Sequence, residues 1–345
     1  MSKRLFAASL SWRRLLLAAA FISVAGSPIA ALAQSSDPLV VRREVNAWLN
    51  RIHDAALNEN YEGTFVFQRG GMIQSSRIVH VAPRHGDEYE RLESLDGRPR
   101  TMLRHNDDVF TFFPERKLCV VDQRQSKITF PALVGANSSN VLDVYDPKLL
   151  GIERVAGFDS QVIELEPKDH FRFGYKLWAD KATGLLLRAQ TLDPNGHVLE
   201  QIAFSQIDIG TDNDHDSIAA AIRNLSGWRV IHDTTTTVDM GSQGWTIKPV
   251  EGFKEIRQLR RPMAVHGPGS APVEVDQAVF SDGLSAISVF VEPGGAGARH
   301  EGAGSSGATH ILVRHMGDFW ITLLGEVPLD TLQEFASAIK YKDPK

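Results

Sequence analysis

Between Ser36 and Ala55 the apolar residues recur at helical spacing. Val41, Val45, Trp48, Ile52 and Ala55 follow at steps of four and three and form one stripe, with Arg42, Arg43, Asn50 and Asp54 opposite. Ser36-Asp37-Pro38 supplies a capping acceptor and then proline, which starts a helix well because its missing N–H would be unpaired there anyway. The spacing predicts a helix lying on a large apolar surface. The pattern then switches to alternation. Thr64–Gln68, Ser76–Val81, Asp87–Leu95, Arg100–Arg104, Asp108–Phe112 and Lys117–Val121 are short runs rich in aromatic and branched residues. Turn chemistry separates them at Arg69-Gly70-Gly71, Pro83-Arg84-His85-Gly86, Asp96-Gly97 and Asn106-Asp107. Strands this closely spaced predict an antiparallel meander, because parallel neighbours need helical crossovers.

The mixed stretch after Asn137 predicts a helix over about Val141–Leu150. Strand patterns return at Gln161–Glu166, Arg172–Trp178, Leu185–Leu192 and Val198–Ile209, with turns at Thr183-Gly184 and Pro194-Asn195-Gly196. The first half reads as one curved antiparallel sheet with helices against its concave side. Such a half-open barrel encloses either a core or a hydrophobic pocket. The polar, acidic tract Thr211–Asp216 is the best boundary, followed by a short helix carrying Ile218, Ala221, Ile222 and Leu225. From about Thr236 a second unit begins, with Trp245-Thr246-Ile247, strands at Val275–Ser281, Leu284–Glu292, Thr309–His315 and Asp318–Leu324, and a last helix after Pro328. Pro293–Ala308 is so rich in Gly and Ala that it reads as a flexible loop. The fold class is mainly β with an α+β second domain. The predicted organisation is a leader over 1–33, a half-barrel over 34–210, a linker over 211–235 and a small α+β domain over 236–345.

The leader has a basic start, an apolar stretch over Leu15–Val24 and small residues at Ala31 and Ala33, which predicts a signal peptide cleaved after Ala33. That stretch is about half of what a bilayer crossing needs. Its only charges are Lys3, Arg4, Arg13 and Arg14, so the mature chain is more acidic than the whole-chain −5. An acidic chain without a basic stripe argues against nucleic acid as a partner. Cys119 is the only thiol, so no intrachain disulfide can form, and its apolar strand predicts a buried structural role.

Candidate chemistry is sparse. Ala303-Gly304-Ser305-Ser306-Gly307 lacks the first glycine of a nucleophile elbow, and His300-Glu301 begins a zinc-binding pattern that no second histidine completes. His310 and His315 fall on opposite faces of one strand, which is wrong for shared metal ligation. Glu164 and Glu166 share a strand face, better explained by solvation than by acid–base catalysis. Gly295-Ala296-Gly297 lacks the third glycine and the surrounding βαβ unit of a dinucleotide site. Lys254, Arg257, Arg260 and Arg261 form the one basic cluster, suited to a solvated edge, an acidic partner or lipid head groups. The expectation is a binding protein, with no catalytic, metal or cofactor site.

Longer strings point to a family. Tyr61-Glu-Gly-Thr-Phe-Val-Phe67, Arg77-Ile-Val-His80, Arg91-Leu-Glu-Ser-Leu-Asp-Gly97, Arg154-Val-Ala-Gly157 and Tyr175-Lys-Leu-Trp178 with Thr183-Gly184-Leu185 resemble the MucB/RseB family. Phe280-Ser-Asp-Gly-Leu-Ser-Ala-Ile-Ser-Val-Phe290 and Leu324-Gly-Glu-Val-Pro328 resemble its C-terminal domain. The resemblance implies a periplasmic negative regulator of an envelope-stress sigma factor. Such a protein binds the periplasmic part of a transmembrane anti-sigma factor and shields it from regulated proteolysis. It also implies a LolA-like N-terminal half-barrel with covering helices, release on a lipid or envelope-stress signal, and lipid or lipopolysaccharide as a further partner. Trp48, Phe65, Phe67 and Ile78 are then candidate pocket-lining residues, with ordinary core as the competing reading. A lipid or lipoprotein carrier is the alternative function, and homo-oligomeric association is left open.

Overall fold

The computed structural model describes residues 37–82, 86–123, 130–133, 138–212, 215–232, 235–263, 272–294 and 300–343. The expected leader, the first three residues of the turn at 83–86 and the centre of the Gly-rich tract lie outside them. Helix α1 (Pro38–Asn58) starts as expected: the Asp37 side chain accepts from the Leu39 N–H at 2.9 Å, with proline at the first helical position. Its fully buried residues are Val45, Leu49 and Ile52, while Trp48 is half-buried. The apolar stripe is therefore rotated towards Leu49.

Six strands follow: β1 (Tyr61–Arg69), β2 (Met72–Val81), β3 (Tyr89–Ser94), β4 (Thr101–His105), β5 (Asp108–Phe113) and β6 (Leu118–Gln123). Helix α2 (Ser138–Val144) leads into β7 (Tyr145–Val155), β8 (Phe158–Pro167), β9 (Gly174–Asp180), β10 (Leu186–Leu192) and β11 (Val198–Ile209). The helix expected over Val141–Leu150 thus ends at Val144, and the rest of it is strand. Helix α3 (Asp216–Arg223) and strand β12 (Arg229–His232) occupy the stretch expected as a linker. β12 runs parallel to β6, so this stretch belongs to the first sheet.

That sheet has twelve strands in the order β12-β6-β5-β4-β3-β2-β1-β11-β10-β9-β8-β7. All its other pairings are antiparallel, as a meander requires. It is curled: the edge strand β7 comes within 8 Å of β11 between Cα atoms, although three strands separate them in the sheet. The curl wraps the sheet around α1. Val45, Leu49 and Ile52 pack with Tyr145, Ile163, Leu177 and Leu186, and Ala55 and Ala56 join Tyr61, Phe65, Trp178 and Phe204.

The second sheet is built from β13 (Thr236–Thr237), β15 (Lys254–Met263), β16 (Val273–Ser281), β17 (Ala286–Pro293), β18 (Gly302–Ser306), β19 (Thr309–Met316) and β20 (Phe319–Gly325). A separate pair joins β14 (Trp245–Ile247) to β21 (Ile339–Tyr341), after α4 (Leu329–Ala338). Strand β15 is where the sequence shows only a basic cluster. Strand β18 lies inside the stretch expected as a flexible loop; pairing to β19 uses backbone alone, so small side chains do not prevent it. Helix α4 covers one face, burying Leu332 and Phe335 against Phe280, Ile287 and Leu323.

Candidate functional site

The uncovered face of the second sheet turns towards the first. Alternation along β16 sends Ala278 and Phe280 into the core under α4 and leaves Gln277, Val279 and Ser281 on the other side. Yet almost every β16 residue is buried, the mark of a strand covered on both faces. What covers it is the first domain, and between the two lies a cavity of about 1200 Å³. Leu57, Phe67, Phe130, Leu133 and Ile202 form the apolar wall from the first domain. Ile256, Val279, Ser288 and Leu324 form the floor from the second.

Of the four residues named from sequence, Phe67 lines this cavity. Phe65 lies behind the wall, its ring 5.6 Å from that of Phe130, and Ile78 is buried in the same core. Trp48 packs on the α1 core with the Arg51 guanidinium 4.3 Å over its ring. The basic cluster is divided by the strand: Lys254 and Arg257 line the cavity, while Arg260 makes a bidentate pair with Asp276 at 2.7 and 2.8 Å.

The cavity-lining carboxylates Asp282, Glu200 and Glu326 belong to polar groups that sequence reasoning missed. Arg172, in the β8–β9 connection, is fully buried. Its Nη1 donates to Asp282 Oδ2 at 2.9 Å, its Nη2 to the Glu251 carbonyl at 2.7 Å, and its Nε to Asp169 Oδ1 at 2.9 Å. The Tyr145 hydroxyl also donates to Asp282, at 3.2 Å. Nearby, Glu200 pairs with Arg69 Nε at 2.7 Å and accepts from the Ala308 N–H at 2.8 Å. Glu326 lines the cavity beside it; burial and the charge of Glu200 push its carboxyl up, against the pull of Arg69. Burial also raises the Tyr175 phenol well above its ordinary value, reinforced by Glu326, Asp282 and Glu200.

Among the described residues no cluster of His, Cys, Asp and Glu is arranged to hold a metal ion. Cys119 is fully buried, and burial raises its thiol pKa, which suits an inert core residue. Glu164 and Glu166 both reach Lys148 on β7. No described helix is long and apolar enough to cross a membrane. An apolar wall with charged groups among the residues that line it is a binding arrangement.

The comparisons with known proteins agree with this architecture part by part. Residues 44–222 match the MucB/RseB N-terminal domain and residues 239–340 match the MucB/RseB C-terminal domain. The chain belongs to the MucB/RseB family. Sigma factor AlgU regulatory protein MucB of Pseudomonas aeruginosa is 29% identical over 311 residues, 88% of this chain and 93% of that protein. Sigma-E factor regulatory protein RseB of Haemophilus influenzae is 28% identical over 297 residues, covering 85% and 90%. The solved structure of MucB in complex with MucA(peri) superposes with a TM-score of 0.64 at 27% identity, covering 86% of this chain and 98% of that one.

Within this MucB/RseB chain, four of the strings that carry the resemblance meet at the cavity. Phe67 and Tyr175 come from the first domain, Asp282 and Gly283 from the β16–β17 turn, and Glu326 from the end of β20. Local pattern could not place them together, because Arg172 and Asp282 are 110 residues apart in sequence.

Proposed function

We propose that this chain is a periplasmic regulator that binds the periplasmic part of a transmembrane anti-sigma factor, protects it from regulated proteolysis and so restrains an envelope-stress sigma factor. The observation that carries this reading is similarity through both domains to MucB, whose solved complex contains MucA(peri). Export by the leader, with cleavage after Ala33, puts the protein in the compartment where that partner is accessible. In this reading the half-barrel domain runs from 34 through the stretch 211–235, whose α3 and β12 pack on its sheet, and 236–345 form the C-terminal domain.

Lipid or lipopolysaccharide is the proposed releasing signal, and the cavity is where an acyl chain enters. Its volume exceeds the roughly 300–1,000 Å³ usual for small-molecule sites, and its wall carries Leu57, Phe67, Leu133 and Ile202. If lipid and anti-sigma factor favour different domain arrangements, each weakens the other by the same factor. The test is calorimetry of the mature protein with the periplasmic segment of the anti-sigma factor, in the absence and presence of lipopolysaccharide. Binding without lipid and weaker binding with it are expected; no binding between folded partners without lipid defeats the reading. The cavity also supports a second reading, a lipid or lipoprotein carrier. That reading requires transfer of labelled lipid from donor to acceptor vesicles, which a regulator does not accelerate.

A further inference from the structure

The junction between the domains joins apolar and charged contacts around a cavity. Leu284 of the second domain is buried in the first domain's core with Val141 and Leu142, Phe171 of the first packs against the second domain's core, and buried charged groups stand beside them. The charged contacts specify geometry more than they stabilise it, because water solvates the same charges well when the domains part. The fit is nevertheless exacting. Gly252, at φ +85°, leaves room for Arg172: a Cβ there would lie 2.7 Å from Arg172 Nη2. Gly307, at φ +57°, seats the other contact: a Cβ there would lie 2.5 Å from both Arg69 Cγ and Glu200 Oε1. Both glycines belong to the second domain and receive side chains of the first, in a backbone conformation that other residues adopt only with strain.

We propose that the two domains form a clasp with two latches, Arg172 on Asp282 and the Arg69-held Glu200 on the Ala308 N–H, whose release opens the cavity. The latches lie against its wall: Asp282 and Gly252 line it at one, Glu200 and Glu326 at the other. Thr331 of α4 adds a hydrogen bond to the Phe171 carbonyl at 2.9 Å, beside the first latch.

Glu326 makes the second latch sensitive to protons. The groups around it are Glu200 on β11, Arg69 on β1 and the Tyr175 phenol on β9, with Asp282 acting on the same phenol. His310 on β19 lies opposite the adjacent Gly325. Its carboxyl is raised in the docked form, and once hydrated in an open form it returns towards its ordinary value of 4.5. A group raised on docking favours the docked form fully below its free value, and that contribution is lost as pH rises through the raised one. The clasp therefore tightens in acid and loosens towards neutral and alkaline pH.

The test uses the mature chain alone, so its failure is separate from failure of the partner reading. Hydrogen exchange is followed at residues 168–173, 281–285 and 306–309, and at the β17 and β20 core, in wild type, Arg172→Met, Glu200→Gln and Glu326→Gln. Junction protection is expected to fall at least tenfold in Arg172→Met and Glu200→Gln while the β17 and β20 amides keep theirs. It is expected to fall between pH 5 and pH 8 in wild type and not in Glu326→Gln. If Arg172→Met does not fold, Glu200→Gln decides. Unchanged junction protection in Glu200→Gln overturns the clasp, and a pH-independent wild type overturns the role of Glu326.

Discussion

Arg104 shows how much one side chain organises in the first sheet. It is 2% exposed and donates to Glu88 at 2.7 Å and to Glu90 at 3.0 Å. His80, also buried, extends the network: its Nε2 lies 3.1 Å from Glu88, its Nδ1 2.9 Å from the Glu59 carbonyl, and its ring stacks on Tyr61 at 4.7 Å. Removing one partner from a buried ionic network leaves the others uncompensated. Arg104→Met is expected to cost about 3 kcal/mol in urea denaturation of the mature protein. The network also sets an acid limit. Burial pushes the Glu88 carboxyl up, but hydrogen bonds from His80 and Arg104 outweigh it and hold the group at about 2, against an ordinary 4.5. A depressed carboxylate contributes stability above its unfolded value and loses it as pH falls towards the folded one. Melting temperature should therefore drop between pH 4.5 and pH 2, and Glu88→Gln should flatten that part of the profile while lowering stability at neutral pH.

At the scale of elements, α1 illustrates what the sequence shows and what it leaves out. Its start and its amphipathic period are visible from Asp37-Pro38 and the apolar spacing. The orientation of its stripe is not, because Trp48 and Leu49 are adjacent and only the curled sheet decides which points inward. Leu49→Ala should cost about 3 kcal/mol, and Trp48→Ala clearly less, in thermal unfolding of the mature protein. Strand β11 is legible to the residue because its alternation and flanking Pro194-Asn195-Gly196 turn agree. Strand β7 is not: Pro147 and Gly151 look unlike a strand, but β7 is an edge, where a missing N–H is tolerated. Strand β15 hides similarly, since Arg257, Arg260 and Arg261 obscure its period, and β13 pairs with only two of its residues. Phe67 was within reach as a pocket residue because it alternates onto the open side of β1. Arg172, Asp282 and Glu326 were not, because each owes its role to a domain docked across the cavity.

For the whole molecule, the question is whether the space between the sheets is used. A buried strand such as β16 normally faces packed side chains on both sides, yet Gln277, Val279 and Ser281 face a space of about 1200 Å³. If acyl chains occupy it, reducing that space from the floor should weaken their binding without disturbing either core. Leu324 suits the purpose: it lines the cavity, is 38% exposed, and points away from the Phe280 and Phe335 core. Leu324→Trp places an indole against the apolar wall of Phe67 and Ile202, while β20 keeps its pairing with β17 and β19. Titration with cis-parinaric acid, a fluorescent fatty acid, should give at least a fivefold weaker dissociation constant for Leu324→Trp than for wild type, with melting temperature essentially unchanged. Equal affinity in a folded variant would remove the cavity as the lipid site, and with it the route by which lipid is proposed to release the anti-sigma factor.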